Sequence, residues 1–253
     1  MLSLFGAAAN YGVDAVSWMV MVAALLAIKP VPQSLGGRRA MSFTALREGL
    51  QYVWTHPLLL MMMLLDFAQN VFGNGRALLP VYAADILHVG PTGYGILSAA
   101  NSLGSIGTAG VMSALPNIRR AGIGVLIGVL IAGGSWALFA YSELFWLSIG
   151  LMFTQGVGNT ISTVLRGTIL QLNIPDAVRG RVSSVNAVFT NGGPQLGQFR
   201  AGAVGQWLGP ELAVLTGGLA VIGVVGLISA LVPMVRRFEI PSAAEESGVG
   251  VVS

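Results

Sequence analysis

Asp66, Gln69, Asn70 and Gly73 stand at positions i, i+3, i+4 and i+7 of a long apolar run. On a helix they share one face. An ionisable group at that depth in hydrocarbon is costly and asks for a task. A carboxyl group facing a watery cleft can take up a proton on one side of a membrane and release it on the other. Asp66 is therefore the candidate for proton coupling, with Gln69 and Asn70 as amides along a substrate path. The alternative is a carboxylate tied to a neighbouring helix to fix packing. A second polar stripe, Gln155, Asn159, Ser162/Thr163 and Arg166, recurs at helical spacing in residues 144–170. A third, Asn186 and Thr190 aligned with Gly193, Pro194 and Gly197, lies in residues 182–208. Lining a cavity is one role for these faces, with Thr163 as the second stripe's hydroxyl; hydrogen bonding between helices is the other.

Three more charges, Asp14, Arg76 and Arg200, fall in the outer thirds of apolar runs. They are candidates for an outer charge cluster in which Asp14 pairs with one of the arginines. Arg166 stands near one end of its run, where snorkelling to the interface is the expectation. Gly193-x-x-x-Gly197 and Gly124-x-x-x-Gly128 read as close helix contacts, as does Gly104-x-x-Gly107. Pro194 reads as a bend. Gly73-Asn74-Gly75 either unwinds its helix locally or ends it.

The elements that position these residues are apolar rods. Hydrophobic residues make up 54% of the 253-residue chain and charged residues 9%, against roughly 25% charged in soluble domains. Glycine, at 35 residues, is about twice its usual share, which suits helices whose backbones approach closely. Candidate spans cover residues 7–28, 58–82, 93–115, 121–141, 144–170, 182–208 and 212–235. Each is long enough for the ~20 apolar residues that cross a bilayer. Residues 42–55 form a short amphipathic helix, with Phe43, Leu46, Leu50 and Val53/Trp54 on one face and Arg47, Glu48 and Gln51 opposite. It lies in the membrane interface or packs on the protein. The fold class is all-α, a polytopic membrane helix bundle.

Lys29, Arg38, Arg39, Arg47, Arg119, Arg120, Arg179, Arg181, Arg236 and Arg237 fall on one side if the spans alternate. The opposite loops carry Asp85, His88, Glu143 and Glu211 but neither Lys nor Arg. The basic side is then cytoplasmic. The organisation that follows is a first span over residues 1–28 and a cytoplasmic linker with the amphipathic helix over 29–56. A six-helix domain occupies 57–237, and a cytoplasmic tail over 238–253 is expected to be disordered. The lipid bilayer is the first partner. Nucleic acid is not, because the basic residues are spread over separate loops. With no cysteine, disulfides and thiolate chemistry are excluded. His56 and His88 sit on opposite sides, so no metal site is expected. No hydrolase, metalloprotease or phosphate-loop signature is present. The chain reads as a non-enzyme that needs no cofactor.

A resemblance sharpens this. Pro175-Asp176-Ala177-Val178-Arg179-Gly180-Arg181-Val182 is similar to the proline–acid–Arg-Gly-Arg turn of the major facilitator superfamily. Leu46-Arg47-Glu48-Gly49-Leu50-Gln51-Tyr52-Val53-Trp54 with His56-Pro57-Leu58 looks like the lead-in to a seventh helix. Gly93-Tyr94-Gly95-Ile96-Leu97, with Gly104 and Gly107, looks like the opening of an eighth. The ordered set resembles a branch of bacterial exporters within that superfamily. It implies that the chain holds about seven of some twelve spans, the sixth to the twelfth. The stretch after Gly110 has no aspartate where the family's loop signature carries one. Asp176, Arg179, Gly180 and Arg181 would form a cytoplasmic gate motif.

In such folds the substrate path lies between two halves near the midplane. The resemblance therefore implies a small-molecule substrate, and a missing N-terminal half or a partner subunit that supplies the other wall. The expected function is proton-coupled efflux of a small amphipathic molecule by alternating access, in a bacterial inner membrane with the C-terminus cytoplasmic. The competing expectation is a truncated membrane-interaction protein, or a half-transporter subunit, without transport activity of its own.

Overall fold

The computed structural model describes residues 2–27, 43–114 and 120–238. The linker at 29–42 lies outside them, as do Arg119 and all of the tail beyond Phe238. The chain divides into two units, residues 1–40 and 41–253. The first unit holds one helix, α1 (Leu2–Ala27), of 26 residues, about 39 Å long at 1.5 Å per residue.

The second unit is an all-α bundle, and strands are absent among the described residues. It comprises α2 (Phe43–Thr55), α3 (Pro57–Phe72), α4 (Leu79–Val81), α5 (Gly90–Ala114), α6 (Ala121–Phe139), α7 (Phe145–Asn173), α8 (Asp176–Leu208), α9 (Pro210–Leu231) and α10 (Pro233–Arg237). α7 packs between α5 and α6, α6 continues onto α9, and α9 and α8 close around α3. Proline begins α3, α9 and α10, where its missing N–H costs nothing. The α8–α9 turn is the single residue Gly209 at φ 89°, a conformation that favours glycine.

Two boundaries differ from the sequence reading. The proline–acid–Arg-Gly-Arg stretch is not a loop: α8 starts at Asp176, so only Ile174 and Pro175 separate it from α7. Proline fixes the turn, and Asp176 then sits favourably at the positive end of the helix. The span at 58–82 is broken. α3 stops at Phe72, Gly73-Asn74-Gly75 is non-helical, and the chain resumes as a 3-10 turn (Arg76–Leu78), α4 and a π-turn (Tyr82–Ile86).

Small residues set the helix spacing. A Cβ on Gly197 would fall 2.1 Å from the Asn70 carbonyl oxygen, and one on Gly193 would lie 2.9 Å from Asn70 Cβ. The Gly193–Gly197 face thus seats α8 on α3 at a distance only glycine permits. Gly124 and Gly128 pack on α7 in the same way. Gly104 meets the Phe153 backbone, but Gly107 opens on empty space, so that expected pair is half right.

Among the described residues, α6 and α9 alone are long and apolar enough to span a membrane by composition. α3, α5, α7 and α8 carry polar residues among their apolar ones, and those residues hold the candidate site. α2 turns Val53 and Gly49 inward and leaves Leu50 and Trp54 exposed. Its packing on α8 answers to the protein-packed reading, while an apolar outer edge is left over.

Candidate polar wall and its relatives

Asp66 lies on α3 and Arg166 on α7, each about 7% exposed at the side chain, with Arg166 Nη2 2.5 Å from Asp66 Oδ1. The pairing follows from depth. Asp66 is nine residues from Pro57, and Arg166 is seven from Asn173 at the same end of the bundle. The snorkelling expected of Arg166 is therefore corrected: a buried guanidinium next to a carboxylate gains more from the pair than from reaching for water. Asn70 Nδ2 donates to Asp66 Oδ1 at 2.9 Å. Thr190 on α8 donates to Oδ2 at 3.2 Å. Arg166 Nη1 donates to Ser162 Oγ at 3.1 Å, and Ser162 donates to Gln69 Oε1 at 3.1 Å. Gln69 Nε2 in turn donates to Asn159 Oδ1 at 2.9 Å. One continuous relay thus joins α8, α3 and α7.

Nearer the other end of the bundle, Asn101 on α5 organises a second cluster. Its Nδ2 donates to Gln155 Oε1 in a short contact and to the Met152 carbonyl at 3.3 Å. Its Oδ1 accepts from Arg76 Nη2 at 2.6 Å. Between the clusters lies a cavity of about 230 Å³ lined by Gln69, Asn70, Asn74, Arg76, Trp136, Gln155, Asn159, Pro194 and Gln198. A neighbouring cavity of about 220 Å³ shares Arg76 and Trp136 and adds Leu79, Tyr94, Asn101 and Met152. The break at Gly73–Gly75 makes this arrangement possible. A Cβ on Gly75 would press within 2.7 Å of the Trp136 ring.

The residues singled out in the sequence separate into groups. Gln69, Asn70, Gln155 and Asn159 meet at the central cavity. Thr190 bonds Asp66. Thr163 is exposed and lines none of these cavities, while the hydroxyl buried in the relay is that of Ser162. One step of 100° along a helix separates the two. Asn186 lines a different cavity, about 390 Å³, beside the α7–α8 turn with Gln171, Arg179 and Ser183. Arg200 has backbone partners in the bundle. Its guanidinium donates to the carbonyls of Val71 (3.1 Å), Phe72 (3.1 Å) and Ala213 (3.4 Å). It satisfies the last turn of α3, which ends inside the bundle and would otherwise strand its carbonyls. Asp14 belongs to α1, in the other unit.

In the turn motif, Arg179 pairs with Asp176 at 2.7 Å, with both side chains more than half exposed. Arg181 reaches α2, with Nη1 3.0 Å from Glu48 Oε2. Gly180 opens on empty space. Among the described residues no group of acidic and histidine side chains could hold a metal ion. Sequence reasoning missed Asn101, Trp136 and the partner of Arg166. For Arg166 the signal was there, two opposite charges at matched depth; for Trp136 and Asn101 the pattern carried none.

A polar wall in a glycine-seated helix bundle, with a broken helix beside it, is the make-up of a transporter-type membrane bundle. A family model described as transmembrane secretion effector matches residues 1–247, and the chain belongs to that family, within the major facilitator superfamily. It is 25% identical over 244 residues to the enterobactin exporter EntS of Citrobacter koseri, covering 95% of this chain and 58% of that protein. It is 27% identical over 253 residues to EntS of Escherichia coli O6:K15:H31, covering 98% and 59%. EntS of Escherichia coli O1:K1 matches at 28% over 243 residues, covering 94% and 57%. The chain thus spans somewhat over half the length of these relatives. No solved structure matches it. Members of this family are transporters rather than enzymes.

Proposed function

We propose that this chain forms one wall of a secondary exporter that moves a small amphipathic molecule outward by alternating access, with inward proton flow as the driver. The observation that carries the reading is the buried Asp66–Arg166 pair, relayed through Gln69 to a polar cavity between α3, α7 and α8. A buried ion pair contributes little net stability by comparison with apolar packing, so its presence in a membrane bundle supports a working role. In this reading a proton added to an Asp66 oxygen removes its negative charge. Arg166 keeps its own charge and loses the partner that held it against α3. Thr190 and Asn70 then rearrange around a neutral acid. That local change is the coupling step between proton uptake and movement of α7 and α8 relative to α3.

The opposite wall belongs to further spans, either on a longer form of the chain or on a partner subunit. The site is a bacterial inner membrane with the basic ends of the helices inside. In everted vesicles containing a twelve-span version, acidifying the lumen drives uptake of an amphipathic dye, and Asp66→Asn abolishes it while the protein still inserts. Unchanged pH-driven uptake in Asp66→Asn would remove the assigned role. Absence of uptake by every twelve-span version would favour a membrane-interaction protein without a transport cycle.

A further inference from the structure

The two cavities that meet at Arg76 and Trp136 hold a cation and several unused N–H donors, beside the amide oxygens of Asn70 and Gln198. Trp136 is 2% exposed, and its indole Nε1 is a buried donor with no hydrogen-bond partner. An indole N–H can only donate, and a buried polar group left unmade calls for an explanation. Arg76 is exposed to the cavities and has a neutral side-chain partner, the Asn101 amide. Among the described residues no carboxylate forms an ion pair with it. The nearby amides add further donors. Asn159 has its oxygen taken by Gln69, and Gln155 has its oxygen taken by Asn101; each therefore has its NH₂ group left over. The acid of the wall, Asp66, is already held by Arg166. The site is thus positive and rich in donors, while Leu79, Tyr94 and Met152 make the adjoining cavity apolar.

We propose that this junction is a binding subsite for a carboxylate-type oxyanion carried on an apolar body, with Arg76 as its charge partner and the Trp136 N–H as a second donor. The class follows from the chemistry: an oxyanion accepts several N–H bonds at once, and charge-assisted bonds are the strong ones. Gly75 is what lets the indole lie beside Arg76, because any side chain there would displace the ring. The assignment deepens the exporter reading by stating the substrate class, and it rests on that reading for the role of the ligand.

Binding is measurable without transport. The chain is placed in phosphatidylcholine nanodiscs and titrated calorimetrically with phenylacetate, then with phenylacetamide, which has the same shape and no charge. Phenylacetate binds saturably and phenylacetamide does not. Arg76→Gln weakens phenylacetate binding on the order of tenfold or more, Arg76→Lys retains part of it, and Trp136→Phe, which keeps the ring and loses the N–H, weakens it as well. Equal binding of the two probes, or parent-like phenylacetate binding in either Arg76→Gln or Trp136→Phe, would overturn the subsite. Loss of phenylacetate binding in nanodiscs containing phosphatidylglycerol would give the site to a lipid headgroup and overturn the substrate assignment. Should Arg76→Gln fail to fold, Trp136→Phe decides alone. Binding that survives where efflux fails tells against the exporter reading and leaves the subsite standing.

Discussion

Arg166 Nη2 meets Asp66 Oδ1 at 2.5 Å across 100 residues of sequence, so α7 and α3 are tied by charge where both are buried. Removing one partner strands the other charge, at a cost of about 3–5 kcal/mol. Asp66→Asn and Arg166→Gln should each lower the thermal midpoint of the chain in detergent. The double variant should recover most of the loss, because neither charge is then left alone. Additive losses in the double variant would show that the two groups act independently.

Gly197→Ala places a methyl group 2.1 Å from the Asn70 carbonyl oxygen. Backbone cannot yield as a side chain can, so α8 has to move off α3, for about 1–3 kcal/mol. Gly192→Ala, five residues earlier and facing open space, is the control and should hold or slightly raise the thermal midpoint, since alanine is the better helix former. Equal midpoints for the two would deny that α8 and α3 are in backbone contact.

Arg200→Ala removes the donors to the carbonyls of Val71, Phe72 and Ala213. Buried acceptors left unpaired cost about 1–3 kcal/mol. Amide exchange in the last turn of α3 should quicken, with smaller changes at its start. Exchange that quickens uniformly, or not at all, would mean that Arg200 does not hold that end.

Arg181→Ala tests the tie between α2 and α8. The pair with Glu48 is partly exposed, so its loss should cost no more than ~1 kcal/mol. Limited proteolysis near Trp54 should rise while the thermal midpoint stays nearly constant. A large fall in the midpoint would assign the pair a structural weight that its exposure does not suggest.

Orientation is testable at the two ends of α7. Glu143 and Ala177 are exposed and flank a helix of 29 residues, about 43 Å long. A cysteine at Glu143 should label with an impermeant maleimide from outside whole cells, and one at Ala177 only after the membrane is opened. The reverse pattern would invert the topology. Ser142, by contrast, is buried against Ser148 and is unsuited to labelling.

Much of the fold was legible because lipid imposes a simple code: uninterrupted apolar runs and glycine at contact points. The glycines at 193 and 197 announced their role through spacing alone. The faces of the polar stripes were also readable, since Gln69, Asn70, Gln155 and Asn159 meet as their helical periodicity implies. Which polar groups pair was less so. Arg166 was assigned to the interface because its own helix was considered by itself; its partner lies on another helix, and only comparing depths across runs brings the two together. Thr163 was taken with Ser162 because adjacent residues differ by one step around a helix, and sequence spacing alone did not separate them. The backbone partners of Arg200 were hidden for a related reason. They are carbonyls exposed by the early end of α3, and side-chain patterns do not record where a helix stops.

That early stop has a mechanical meaning. Glycine seats α8 directly against α3, and Arg200 rivets their far ends, so these two rods travel together. Any rocking of the pair would be taken up at the three-residue gap after Phe72, where the helix is interrupted. The segment beyond the gap is held by other partners, with Leu78, Leu79 and Tyr82 buried, Arg76 bonded to Asn101 on α5 and the Tyr82 hydroxyl donating to the Ala140 carbonyl, so it would stay seated there while the shaft below it moves.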